Sequence, residues 1–291
     1  MSQPPKFHHS PPTEPPSTPP QTGNGGSSRP LWRLPAGVSP GTWEYVSADS
    51  IATGYQAFIA KTPLVAFDTA FLRQQLPPPT ANRQTRVIDF GCGDGRTLRS
   101  LWADGYDVLG VDLSQPMLRQ VAAGDFGDEL ARRRVRGNLV ELGCLDDDIA
   151  DHAVCLFSTI GMIRGRRCRR QFLSHVARIV RPGGKLLLHV HNRNAAWRDR
   201  PSSLAWCRSA VAACRYSDRE LGDQTYRYRG LAEMFLHSFS LTELRGDLRD
   251  CRWRIQEIVP LASDGSGPLN RPGWLPGLRA GGFIAVATTA Q

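Results

Sequence analysis

The stretch Val87-Ile88-Asp89-Phe90-Gly91-Cys92-Gly93-Asp94-Gly95 decides the fold. Arg86–Phe90 is a short run of strand-favouring residues, and Arg96–Ala103 suits a helix. The glycines between them have separate uses. Gly91 permits a tight turn, Gly93 lets backbone approach a ligand closely, and Gly95 lets the helix pack near the strand.

Alternation of the same kind continues downstream. Tyr106–Val111 (YDVLGV) reads as a second strand, and Asp112 ends it. Ser114 caps the next helix, with Pro116 in its first turn. That helix runs over 116–134, interrupted around Gly124–Gly127. Gly137–Leu142 (GNLVEL) is the expected third strand and Ala153–Ile160 (AVCLFSTI) the fourth. Cys168, Phe172, Val176 and Val180 recur every four residues, as one helix face does. Pro182-Gly183-Gly184 closes that helix, and Lys185–His191 (KLLLHVH) is a fifth strand. Strand–helix repeats at this spacing imply right-handed crossovers and a parallel sheet with helices on both faces.

Two ligands compete for the glycine turn. A dinucleotide fingerprint spaces its glycines G-x-G-x-x-G around a pyrophosphate. Here the spacing is G-x-G-x-G, with Asp89 and Asp94 in or beside the turn. Carboxylates there repel a pyrophosphate and suit a cationic ligand carrying an ammonium group. Asp112, 21 residues after Gly91, can accept hydrogen bonds from both hydroxyls of a ribose.

With these residues the chain resembles the class I S-adenosylmethionine-dependent methyltransferases, of the type 11/12-like domain. VIDFGCGDG is similar to their first motif and VLGVDLSQPML to the second. FSTIGMI resembles their fourth strand, and RIVRPGGKLLLHVHN the turn and fifth strand. The likeness covers residues 84–192, and more loosely 237–288. It implies a Rossmann-like, doubly wound, mostly parallel sheet of seven strands with the last antiparallel. It implies S-adenosylmethionine as cofactor. Asp89 and Gly91 would line its methionine end, with Cys92 and Gly95 in the same turn and Gly93 at the close approach. Asp112 would hold the ribose and Leu113 touch the adenine. Ser158, in the fourth motif, would face the cofactor. The family often has an acid just after the third strand, near the adenine amino group. Here that place reads Gly143-Cys144-Leu145, leaving Cys144, Leu145 or a backbone carbonyl for the contact.

The outer segments read differently. Eleven of the 22 prolines fall in residues 1–40, so this part is expected to be a disordered tail outside the core. The domain then spans 41–291. Residues 41–80 look helical, with Leu64, Phe67, Phe71, Leu72 and Leu76 at helical spacing. Residues 201–239 read as an insertion or lid, comprising a short helix at Leu204–Ala213 and antiparallel strands within Asp223–Phe239. Its apolar surface would come from Trp206, Tyr216, Tyr226, Tyr228, Met234 and Phe235. Ser240-Leu-Thr-Glu243 is a capping box, and Arg252–Pro260 and Gly282–Thr288 are closing strands within 240–291. No apolar run approaches a membrane span, and no basic-then-apolar leader is present. With seven scattered cysteines, these features suggest reduced thiols and a cytoplasmic protein.

Methyl transfer is an in-line displacement at a sulfonium carbon, so holding donor and acceptor in line supplies much of the rate. A hydroxyl acceptor also needs a base or metal. His189 and His191 share one face of the fifth strand, and His191 at its mouth is the candidate base. A metal pair there lacks further ligands, so no metal is expected.

The net charge of +9 concentrates in residues 164–181, which hold seven arginines and no acid. Arg164, Arg166, Arg167 and the later His237 are read as a substrate rim, suited to an anionic small molecule. RNA or protein as acceptor is the alternative, docked on the same arginines. A fold kept only for binding is a third reading, opposed by the complete glycine turn. The sequence does not speak to oligomeric state.

Overall fold

The computed structural model describes residues 33–60, 62–80, 84–198, 200–216 and 219–289. Most of the Pro-rich segment lies outside these residues. Its last part, 33–40, does not behave as a tail: the Ala36 carbonyl accepts from Asn138 Nδ2 (3.0 Å) and the Gly37 carbonyl from the Arg164 amide (2.7 Å). The ordered domain therefore begins before residue 41.

Four helices lead in: α1 (Pro40–Ser47), α2 (Asp49–Thr53), α3 (Tyr55–Ile59) and α4 (Leu64–Gln75). Ser39 caps α1 through the Thr42 amide. Then come β1 (Arg86–Phe90), α5 (Arg96–Ala103), β2 (Asp107–Asp112), α6 (Gln115–Ala123), α7 (Gly127–Leu130), β3 (Arg134–Arg136) and β4 (Ala150–Cys155). The chain continues through α8 (Arg166–Ile179), β5 (Val180–His191), α9 (Arg200–Arg215), a hairpin of β6 (Asp223–Tyr228) and β7 (Leu231–His237), α10 (Leu241–Asp250), β8 (Trp253–Leu261), α11 (Pro276–Arg279) and β9 (Gly282–Thr289).

Seven strands form one sheet in the order β3-β2-β1-β4-β5-β9-β8. The first five pair in parallel, and β9 runs antiparallel to both β5 and β8. This is the expected Rossmann-like sheet with its last strand reversed. Alternate residues along each strand feed two cores, one per face. Ile88, Phe90, Leu186 and Leu188 pack with α8 and α10; Val87, Val154, Leu187 and Ile284 pack with α4, α5 and α6.

Three strands differ from expectation. The fifth begins at Val180 and takes in Pro182-Gly183-Gly184, so that turn lies in the strand and the helix ends before it, at Ile179. The third is Arg134–Arg136, and 137–142 forms turns instead. Asn138 causes this: its side-chain oxygen accepts the Val140 amide (3.2 Å) and its carbonyl the Glu141 amide (2.9 Å). Leu139, Val140 and Leu142 are nonetheless buried, which gave the segment its strand-like composition. The fourth strand ends at Cys155, because Phe157 and Ser158 adopt left-handed backbone (φ 51° and 59°) and lead into a 3-10 turn at Thr159–Met162.

Candidate functional site

The C-terminal ends of β1, β2, β4 and β5 define one mouth of the sheet. Gly91, Gly93 and Gly95 all have positive φ (82°, 56° and 86°), so the turn that follows β1 needs glycine. A Cβ on Gly91 would strike Thr159 at 2.3 Å, whereas a Cβ on Gly93 would meet only Tyr55 Cε1, at 3.8 Å. Gly93 thus borders the uncrowded side of the turn, where Tyr55 faces it at van der Waals distance. Asp112 ties the two strand ends together: its Oδ2 accepts the Gly93 amide (2.8 Å) and its Oδ1 the Ser114 amide (2.7 Å). Each oxygen keeps an acceptor site for a ligand hydroxyl. Burial raises the Asp112 pKa, and the backbone amides pull it back.

Asp89 lies on the same face of β1, buried, and burial pushes its carboxyl up to about 7 despite the nearby Arg96 guanidinium. Asp94 is not available to a ligand. It is buried and pairs with Arg99 (3.2 Å), whose guanidinium also holds the Asp94 carbonyl (2.7 Å). The acidic character of the turn therefore rests on Asp89 and Asp112. The Cys92 side chain packs into the core behind the turn, near Gly110.

The helices α1–α3 and the β6–β7 hairpin bring tyrosines over this mouth. Tyr45 and Tyr228 rings lie 5.9 Å apart, and Tyr226 lies 6.2 Å from Tyr228. Burial raises the pKa of Tyr45 and Tyr55, with the Asp112 charge adding to both. Met234 and Phe235 are buried, Tyr216 is exposed, and the side chain of Trp206 lies outside the described residues.

On β5, His189 is buried beside His191, their ring centroids 5.5 Å apart, with Phe157 at 6.5 Å from His189. Burial drives the His189 pKa down to about 3, so it is neutral. His191 sits half-buried at the strand end, as expected, and its amide donates to Ser158 Oγ (3.2 Å). Ser158 is fully buried, so its hydroxyl joins β4 to β5 and is not turned to a ligand.

Several expected site residues lie elsewhere. Cys144 and Leu145 are at the opposite edge, where β4 and β5 begin. Arg178 near the end of α8 holds the Leu145 and Leu142 carbonyls there (2.7 and 3.0 Å). The early end of β3 puts Gly137, not Gly143, at the mouth beside Asp112, whose carbonyl takes its amide (3.0 Å). Leu113 remains next to Asp112, half-buried.

The arginine rim is also largely spent. Arg166 pairs with Asp247 (2.8 Å), and its amide donates to Glu220 (2.5 Å). Arg170 pairs with Asp247 and Asp250, Arg178 with Asp147 and Arg181 with Asp151. Arg169 is fully buried and reaches Glu220 (2.6 Å), Glu243 (3.5 Å) and His237 Nε2 (3.3 Å). His237 is fully buried too, between Asp223 (2.7 Å) and Glu243 (2.9 Å). It is a structural centre, not a rim residue. Glu220, His237 and Glu243 have ligand atoms close enough to share a cation, and the Arg169 guanidinium already fills that role. Of the expected rim, Arg167 is exposed and Arg164 half-buried.

Sequence reasoning missed Asp68, Arg96 and Phe157. Asp68 is buried, and Arg96 Nη2 lies 3.6 Å from it. The Arg96 guanidinium covers the Phe157 ring at 5.0 Å. The signal was present: Asp68 falls four residues after Leu64 and three before Phe71, on the apolar face of α4.

Comparison with known proteins points to the same class of domain and fold. Residues 87–184 match the family model described as a methyltransferase domain. A putative methyltransferase of Geobacillus sp. (strain WCH70) is 25% identical over 144 residues, 50% of this chain and 57% of that protein. The ubiquinone biosynthesis O-methyltransferase of Alkalilimnicola ehrlichii is 28% identical over 121 residues, 38% of this chain and 42% of that protein. The chain thus spans about half the length of the curated relatives it matches. A solved structure of a S-adenosylmethionine-dependent methyltransferase from Methanosarcina mazei has the same fold. Its TM-score is 0.58 at 21% identity, covering 76% of this chain and 97% of that one. Residues 87–184 thus match a methyltransferase domain, and the fold is that of a solved S-adenosylmethionine-dependent methyltransferase.

Proposed function

We propose that the protein binds S-adenosylmethionine and transfers its methyl group to a small-molecule acceptor. One observation carries the cofactor reading. The Gly93 amide and Asp112 carboxylate bond each other across the mouth, and among the described residues the only side chain facing Gly93 is Tyr55, whose Cε1 would lie 3.8 Å from a Cβ there. The ribose hydroxyls would take the outer lone pairs of Asp112. The methionine ammonium would lie toward Asp89, and Tyr45, Tyr55 and Tyr228 would close over the nucleoside. Residues 201–239 would act as the lid.

The acceptor class is read from the arginines. A docking surface for RNA or an acidic protein needs unpaired cations. Here five of the seven arginines in 164–181 are in ion pairs within the fold. That favours a small molecule entering the mouth beside His191. The likeness to a protein named as a ubiquinone biosynthesis O-methyltransferase supports the same choice. Incubation of the protein with methyl-labelled cofactor and fractionated cell extract is the test. Label in the small-molecule fraction is expected; label confined to RNA or protein would refute the acceptor reading.

A further inference from the structure

A chain of contacts runs across the mouth on the α4 face of the sheet. Asp68 on α4 approaches Arg96 on α5 (3.6 Å), Arg96 covers Phe157 (5.0 Å), Phe157 meets His189 edge-on (6.5 Å), and His189 meets His191 (5.5 Å). Two members of this chain, Asp68 and His189, hold buried polar atoms that lack a hydrogen-bond partner among the described residues. Asp68 is 1% exposed, and neither carboxylate oxygen has a donor among the described residues. His189 is 2% exposed, and its Nδ1 is likewise unpartnered. Leaving such groups unmatched is costly, and native cores rarely do so without a use. The Arg96 guanidinium compensates the charge of Asp68 without a hydrogen bond.

We propose that Asp68 and His189 are the polar anchors of the acceptor subsite, and that Asp68 takes the proton of an acceptor whose nucleophile is an N–H or O–H group. The inference rests on the methyltransferase reading. In the transfer, the acceptor nitrogen or oxygen forms a bond to the methyl carbon. The S–CH3 pair returns to sulfur, leaving S-adenosylhomocysteine, and the acceptor proton passes to the Asp68 carboxylate and then to water. The groups facing Asp68 suit this role. Burial raises its pKa, Arg96 from α5 opposes this, and the result is a carboxyl near 7, matched to proton transfer at neutral pH; the neighbouring Asp89 on β1 is raised in turn by the Asp68 charge. His189 on β5, neutral beside His191, offers one hydrogen bond through Nδ1.

The test uses the full chain with S-adenosylhomocysteine bound and two fragments, benzylamine and phenol, as probes. Calorimetry first compares S-adenosylhomocysteine binding to wild type, Asp68→Asn and His189→Phe. Equal affinities are expected, because the cofactor reading rests on the Gly93 turn and Asp112. No binding to any of them would refute the methyltransferase reading itself. Loss in Asp68→Asn alone would move Asp68 to the cofactor and overturn the subsite. Fragment binding is then followed by saturation-transfer NMR. At least one fragment should bind the wild type and weaken 10-fold or more in Asp68→Asn. Binding of neither fragment, or unchanged binding in the variant, overturns the proposal. Melting temperature provides a readout that a merely structural pair would move the other way. Asp68→Asn should melt at or above wild type at pH 8, since it removes a buried carboxylate whose oxygens have no hydrogen-bond donor among the described residues. A lower melting temperature would mark Asp68 as a structural partner of Arg96.

Discussion

Arg169→Met should destabilise the protein far more than an ordinary helix substitution. The guanidinium has no exposure and faces three groups on three elements: Glu220 (2.6 Å) before β6, His237 (3.3 Å) on β7 and Glu243 (3.5 Å) on α10. Around them, Asp223 bonds His237 and Arg193 bonds Glu243 (3.1 Å). Methionine fills similar volume but supplies no charge. The acids then keep only Arg193 and His237 as cations. Breaking a buried pair by removing one partner costs about 3–5 kcal/mol. At about 2–4 °C per kcal/mol for a domain of this size, the melting temperature should fall by roughly 6–20 °C. Thermal unfolding followed by circular dichroism at pH 7 reads this directly. A fall under about 2 °C would mean that the network is hydrated or adds nothing, and would refute the reasoning. Greater stability than wild type would show that desolvation of the cluster outweighs its Coulombic gain.

Three further outcomes follow from the same structure. Burial alone would lower the His237 pKa, but its bonds to Asp223 and Glu243 outweigh this and raise it above 6.5. Its stabilisation is therefore complete below about pH 6.5 and is lost as pH rises through the folded value. Asp223 and Glu243 are held low by the same bonds, so theirs is lost as pH falls below the usual carboxylate range. Urea unfolding from pH 4 to 9 should show a maximum between these limits, and His237→Gln should flatten the alkaline limb; an unchanged limb would contradict the assignment. Gly93→Ala places a methyl group against Tyr55, at van der Waals distance, and on a backbone at φ 56°. It should cost about 1–2 kcal/mol of stability and weaken cofactor binding 10-fold or more by calorimetry; retained affinity would contradict the close approach. His191→Ala should leave cofactor affinity within about twofold, since its fixed contacts are to Ser158 and the β5 mouth; loss of binding would place His191 against the cofactor.

What the sequence disclosed and what it hid divide by distance along the chain. The glycine turn was legible because its conformational demand is local: three positive-φ positions need three glycines, and the strand and helix beside them are short and periodic. The seven-stranded, mostly parallel sheet and its reversed last strand followed from the motif resemblance, and Asp112 fell where a second strand must end. The third strand misled because Leu139, Val140 and Leu142 are buried without being in a strand, and one asparagine turns the backbone between them. That error carried the adenine contact to Cys144 and Leu145, at the wrong edge of the sheet.

The arginine run misled for the opposite reason. No acid lies within residues 164–181, so the segment looked uncompensated. Its partners Glu220, Glu243, Asp247 and Asp250 lie 51 to 81 residues later, and Asp147 and Asp151 lie 31 and 30 residues earlier, on segments that only the fold brings to the arginines. Asp68 sits between these cases. Its place on the apolar face of α4 was visible, but what it faces depends on Arg96 and Phe157 from elsewhere in the chain. Charge patterns read along a sequence report solvation only when the partners are near neighbours.

The central claim is that the Gly93 turn and Asp112 hold S-adenosylmethionine. Isothermal titration of S-adenosylmethionine into the wild type and Asp112→Ala tests it most directly. Charged hydrogen bonds to the two ribose hydroxyls are each worth about 1.5–3 kcal/mol, so the variant should bind at least 10-fold more weakly. Saturable binding to the wild type with that loss is the predicted result. No binding to the wild type at millimolar cofactor, or equal binding to both proteins, would contradict the claim.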